Sequence, residues 1–266
     1  DLAISYSCNS YFAMAFRNNI EKYDNSSKSM DKWSDHIKSF GLGSFLGNDL
    51  SVGKKGNIPD GNYYDKWYPE FQWGATTIIS NSIGQGEILV TPIQLANMTA
   101  AIANKGFYFT PHIIKSIENE QIDSNFNSPK QTTIDPKYYE PIIEGMHNVY
   151  NKGTASFLKV PGIEICGKTG TAENFTKVDG VRQQLTDHSI FIAFAPKENP
   201  KIAIAVLVEN GRYGARWAGR VASLMIEKYI KGKVSLKRME KLVVEKSLED
   251  EYLKPYSGKP FKINDQ

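Results

Sequence analysis

Lys168, Thr169, Gly170 and Thr171 form the one stretch where reactive side chains coincide with a strand pattern. Ile163 and Ile165 alternate with Glu164 and Cys166 just ahead of it, and Pro161-Gly162 marks where the strand begins. Side chains alternate across a strand, so Thr169 and Thr171 place two hydroxyls on one face, with Gly170 adding no bulk between them. An ammonium beside two hydroxyls and exposed strand N–H groups would hold a carboxylate and orient a neighbouring carbonyl. Taken alone, the same tetrapeptide also suits a turn ending an ordinary edge strand.

Ser7-Cys8-Asn9 near the start of the chain shifts that balance. A Lys-Thr-Gly strand paired with a Ser-x-Asn element marks serine acyl-transfer enzymes that act on penicillins or on peptidoglycan stems. The third member of the set, Ser-x-x-Lys, supplies the nucleophile and stands upstream of Ser-x-Asn. Only six residues precede Ser7, and neither Ser26-Ser27-Lys28 nor residues 124–130 offer a copy in the right order. The expectation is the C-terminal part of such an enzyme, with the nucleophilic serine and its general-base lysine absent from the chain.

The elements that must position these groups follow from periodicity. A helix over 11–19 starts just after Ser-x-Asn, burying Phe12, Ala15 and Phe16, and leaves Ser7 and Asn9 in the turn leading into it. A second helix over 32–40 stops at Gly41-Leu42-Gly43. Residues 47–73 are rich in Gly, Asn, Asp, Pro and aromatics, an irregular excursion whose aromatics argue for packing or for a wall beside the cleft.

Thr91-Pro92-Ile93-Gln94 is a capping box with proline at the first helical position, and Leu95, Met98 and Ile102 form the expected buried stripe. Residues 107–117 suggest an exposed strand pair or an extended segment, and 118–133 a polar loop. The Asp135-Pro136 start predicts a helix in which His147 has no chemical partner. Residues 174–186 suggest another polar loop, followed by strands over 189–195 and 202–208. The short turn between those strands makes them antiparallel, and their continuous apolar character requires cover on both faces. A helix over 215–230 would supply cover through Trp217, Val221, Leu224 and Met225. The fold class expected is α+β, an antiparallel sheet with helices on both faces plus a helical subdomain, with residues 1–232 in one domain and 233–266 a charged extension.

Composition excludes several functions. The charge of +3 comes from 32 basic and 29 acidic residues without a basic block, which gives nucleic-acid binding no support. Two cysteines, Cys8 and Cys166, make no disulfide framework, and four scattered histidines show no zinc spacing, so neither metal nor cofactor is expected. No stretch has the length of a membrane span, and the start lacks a signal-peptide pattern.

Several separated stretches together resemble the class B penicillin-binding protein transpeptidases of the cell-elongation type: Ser7-Cys8-Asn9-Ser10-Tyr11-Phe12, Gly41-Leu42-Gly43, Gly56-Asn57-Ile58-Pro59, Ile83-Gly84-Gln85-Gly86 with Thr91-Pro92-Ile93-Gln94, Gly167 through Ala172, and Asp187-His188 leading into Phe194-Ala195-Pro196. The resemblance covers residues 1 to about 230. It implies a D,D-transpeptidase that cross-links peptidoglycan stem peptides at the periplasmic face of the inner membrane, is acylated by β-lactams, and works with a membrane glycosyltransferase and elongation-complex proteins. It also implies that Ser7 relays protons, Asn9 holds the acyl-donor amide, Lys168 supplies positive potential, Thr169 and Thr171 bind the terminal carboxylate, and the Thr171 N–H forms half of an oxyanion hole. Related alternatives are a division-type transpeptidase and a serine β-lactamase; a different class is a non-catalytic sensor or interaction module on the same fold.

Overall fold

The computed structural model describes residues 1–50 and 52–249. Its α-helices and strands in chain order are α1 (Leu2–Ser5), α2 (Asn9–Ile20), α3 (Ser26–Lys38), α4 (Gly61–Trp67), α5 (Pro92–Ala103), β1 (Phe107–Tyr108), α6 (Ser124–Asn127), β2 (Lys130–Gln131), α7 (Tyr139–Asn151), β3 (Cys166–Val178), β4 (Val181–Ala195), β5 (Ile202–Val208), α8 (Ala218–Lys231) and α9 (Lys237–Glu245).

β3, β4 and β5 form an antiparallel sheet in that order, with β4 at its centre. Period-two alternation divides the β4 side chains between two cores. Phe191, Ala193 and Ala195 pack with Val149 and Tyr150 of α7 and with Ala218, Ala222 and Ile226 of α8. Phe194, with Ile192 beside it, packs with Ala103 of α5 and with Tyr139, Ile143 and Met146 of α7. Helices therefore cover both faces, which is why these strands read as unbroken apolar runs.

The stripe that α8 presents differs from the expectation. Met225 is exposed and Val221 only half-buried, while Ala218, Ala222 and Ile226 face the sheet together with buried Trp217 and Leu224. Small residues set this rotation, because α8 lies so close that a Cβ on Gly219 would stand 3.1 Å from Phe191 Cδ2 of β4 and 2.5 Å from Leu158 Cδ1 beside the sheet. On α5 the capping box forms as the sequence indicates, Thr91 N donating to Gln94 Oε1 at 2.9 Å. Leu95, Met98 and Ile102 are half-buried there, and the buried positions are Gln94, Asn97 and Ala101 on one side with Thr99 and Ala103 on the other. Buried Gln94 also donates to the carbonyls of Ser44 and Lys55, at 2.8 and 3.0 Å, which pins the glycine-rich excursion to the helix start.

That excursion is more regular than expected, since it contains α4. Tyr64 and Trp73 join Phe16, Ile20, Met30, Ala75 and Ile78 in a separate core, the helical subdomain. The Tyr64 hydroxyl donates to Glu87 at 2.8 Å and accepts from Asn81 at 2.6 Å.

Residues 174–186 are not a loop. β3 and β4 continue as a paired hairpin beyond a bulge between Ala172 and Asn174, out to Val178 opposite Val181. Asp179 and Gly180 close it with φ of 52° and 81°, the positive values that a type I′ turn needs. The Asp-Gly signal was present; the polar flanks hid it. In 107–133 β1 pairs with β2, Phe107 opposite Gln131, and an isolated antiparallel bridge joins Ile117 to Glu120. His147 has partners after all, Glu164 at 3.6 Å and Asn151. Both cysteines are free, Cys8 exposed and Cys166 buried, with burial pushing the Cys166 thiol up to about 12. After Gly232 the chain folds back: Glu227 accepts from the N–H groups of Ser235 and Leu236, and Leu236 and Met239 pack on the core. The rest of the expected extension, 250–266, lies outside the described residues.

Candidate active site

Ser7 sits where the chain turns from α1 into α2, with φ of 54°. A serine in this left-handed region is uncommon, and such strained backbone persists where its surroundings over-determine it. Ser7 N donates to Ile4 O at 3.2 Å and Cys8 N to Ala3 O at 2.9 Å, which tightens the turn from within. From outside, Thr154 N donates to Ser5 O at 3.2 Å, and a Cβ on Gly153 would stand only 2.3 Å from that oxygen. Only glycine fits there. Asn9, the first residue of α2, is exposed two residues beyond Ser7.

The helix that leads into these residues, α7, also touches the site strand. A Cβ on Gly167 of β3 would meet the Tyr150 ring of α7 at 2.9 Å, so α7 sets the distance between Ser7 and β3. Across it, Lys168 Nζ donates to Ser7 Oγ at 2.5 Å, although 161 residues separate them. Lys168 Nζ also reaches Thr169 O at 2.9 Å and Thr169 Oγ1 at 3.4 Å. Burial disfavours the ammonium and holds Lys168 below the ordinary lysine range, at about 8.

Thr169 and Thr171 pair with Phe191 and Ser189, positions two apart, so the shared face expected of them is present. Thr169 Oγ1 lies 3.3 Å from Thr154 Oγ1, and Thr171 Oγ1 accepts from Gly214 N at 3.4 Å. Their backbone groups matter as much. The Thr169 and Thr171 carbonyls accept from Lys168 Nζ and Gln85 Nε2, donors outside the strand ladder. N–H and C=O of one strand residue point the same way, so both N–H groups face the open edge of β3. Gly170 lies between them, its backbone under Gly214, where a Cβ would be 2.4 Å from Gly170 O.

Ser7, Lys168, Thr169 and Thr171 are thus brought together, with Asn9 beside them. Sequence reasoning missed Gln85, Thr154 and Gly214. The Gly84-Gln85-Gly86 turn was visible as a motif, but nothing local tied it to a strand 86 residues away. Among the described residues no group of three His, Cys, Asp or Glu side chains is placed to hold a metal, and no helix is long and apolar enough to cross a membrane.

A lysine on a sheet edge thus donates to a serine from a helical turn, with two threonines alongside, on an α+β fold. Residues 1–227 match the penicillin binding protein transpeptidase domain, and the chain belongs to that family. Within the family its likeness is to the PBP2, or MrdA, type. It is 32% identical over 229 residues to the peptidoglycan D,D-transpeptidase MrdA of Acinetobacter baumannii, covering 80% of this chain and 32% of that protein. The crystal structure of Pseudomonas aeruginosa PBP2 in complex with WCK 5153 superposes with a TM-score of 0.69 at 29% identity, covering 88% of this chain and 50% of that one. The complex between PBP2 and MreC from Helicobacter pylori gives a TM-score of 0.65 at 29% identity, over 86% of this chain and 39% of that one. The chain spans about a third of the length of the curated relatives it matches.

Proposed function

We propose that this chain carries the stem-peptide site of an elongation-type peptidoglycan D,D-transpeptidase, also acylated by β-lactams, at the periplasmic face of the inner membrane. The observation that carries the reading is the 2.5 Å contact between Lys168 Nζ and Ser7 Oγ, because it joins the two motifs that have chemical meaning only as a pair.

In this reading a Ser-x-x-Lys serine from outside residues 1–266 attacks the carbonyl of the penultimate D-alanine. Its proton passes to the adjacent lysine and, through Ser7, toward the leaving amine; the terminal D-alanine departs; an amine of a second stem then takes the acyl group and restores the serine. The Thr171 N–H, on the open edge, supplies one oxyanion donor. Lys168 with the Thr169 and Thr171 hydroxyls receives the terminal carboxylate, and Asn9 the acyl-donor amide. The stem peptide and a MreC-like protein, a membrane glycosyltransferase and other elongation-complex members are the partners this assigns; the H. pylori complex of PBP2 with MreC supports the choice.

Lys168 gives the test. Its charged form attracts the ligand carboxylate and donates to Ser7, and it loses that charge as pH rises through about 8. The second-order acylation constant for benzylpenicillin in the intact protein should therefore fall above about 8, steepening towards about tenfold per pH unit, since this constant reports free-enzyme ionisations. The linkage to stability has the opposite sense. The unfolded lysine keeps its proton to higher pH than the folded one, so the cost of burying the ammonium is full below about 8 and is relieved as pH rises toward the ordinary lysine value. An acylation constant that is flat or rising between pH 7 and 9 would contradict the role given to Lys168.

A further inference from the structure

Gln85 Nε2 donates to Thr171 O at 2.9 Å, from a turn on the far side of the open edge of β3. In an antiparallel pair, two facing residues exchange both of their N–H···O bonds. A peptide whose attacked carbonyl rests on the Thr171 N–H would therefore aim the N–H of the same residue at Thr171 O. Gln85 already bonds that acceptor from the open edge, the side from which the peptide N–H would come. We propose that the Gln85 carboxamide is a displaceable cap on the open edge of β3, standing in for the acyl-donor amide and leaving the Thr171 carbonyl when that amide arrives. This rests on the transpeptidase reading above.

The turn is built to hold the cap while letting its tip move. Gly84 and Gly86 flank Gln85 with φ of 73° and 72°, and Gln85 N donates to Ser80 O at 3.1 Å, which fixes the backbone. Glu87 beyond it is anchored by the Tyr64 hydroxyl at 2.8 Å, and its carbonyl accepts from Asn57 Nδ2 at 2.7 Å. The flexible part is the side chain. No atom stands within 4 Å of where a Cβ on Gly84 would be, so the turn is open on that side, and Gln85 itself is half-buried between two exposed glycines. A bare strand edge is a template for stray pairing, and a neutral side-chain donor covers it without the cost of separating an ion pair.

Removing the cap should speed ligand entry by what one neutral hydrogen bond is worth, roughly twofold to tenfold in rate. The experiment measures the second-order acylation constant of the intact protein with benzylpenicillin, which carries a side-chain amide N–H, in wild type, Gln85→Ala and Gln85→Met. Methionine keeps the length of the side chain without the donor, so the Gln85→Met rate decides if alanine loosens the turn. Faster acylation of Gln85→Met is the expected result; an equal or slower rate overturns the cap. A structure of the acyl-enzyme gives a second reading, since Gln85 still bonded to Thr171 O there also overturns it. If the wild type takes no label at all, the acyl-transfer reading falls and the cap with it, whereas labelling without acceleration removes the cap alone.

Discussion

Lys168→Ala in the intact protein is expected to lower the benzylpenicillin acylation constant by about 10²–10³, the loss typical when one preorganised donor is removed from an oxyanion site. The fold should survive. Lys168 Nζ bonds Ser7 Oγ and the Thr169 carbonyl, so its removal unties the helical turn from the sheet edge and deletes the positive potential that meets the carboxylate. Burial of the ammonium is unfavourable, as its lowered pKa of about 8 records, so at neutral pH the melting temperature should not fall in step with activity. Acylation kinetics beside a thermal melt separate the two effects. A variant acylated within threefold of wild type would remove Lys168 from the chemistry.

Gly214→Ala has the second-largest expected effect, through geometry rather than charge. A Cβ there would lie 2.4 Å from Gly170 O, 2.5 Å from Ile190 O and 2.8 Å from Gly170 N, all backbone atoms of β3 and β4. Neither strand can yield cheaply, because Ile190 lies in the central strand and Gly170 pairs with it. Overpacking of this kind costs about 1–3 kcal/mol or more, which for a chain of this size lowers Tm by about 2–12 °C. The displaced strand is the one that presents Thr169 and Thr171, and a misplacement near 1 Å can cost about 10²-fold in rate. Wild-type Tm together with wild-type acylation would show that the Gly214 loop gives way instead.

These effects also show where reading the chain residue by residue stops. The capping box at Thr91 and the continuous apolar run of β4 could be read because both are set within a few residues. The pairing of Ser7 with Lys168 was inferred from chemistry, not pattern, since neither residue has a use alone. The hairpin over 174–186 is not legible in the sequence because its polar flanks lack the alternation that marks a half-buried strand, although Asp179-Gly180 signals the turn. Met225 was misplaced because helical spacing favours the largest apolar side chains, whereas close approach to the sheet selects Ala218 and Ala222. Gln85 and Gly214 could not be found locally, because their contacts with Thr171 span 86 and 43 residues.

The most direct test is covalent labelling with a fluorescent penicillin, of the intact protein and of residues 1–266 alone, followed by mass spectrometry of the labelled peptide. The account predicts a label on the intact protein, at a Ser-x-x-Lys serine outside residues 1–266, and none on residues 1–266 alone. A label on Ser7 or any other serine within residues 1–266, or no label on the intact protein, would contradict it.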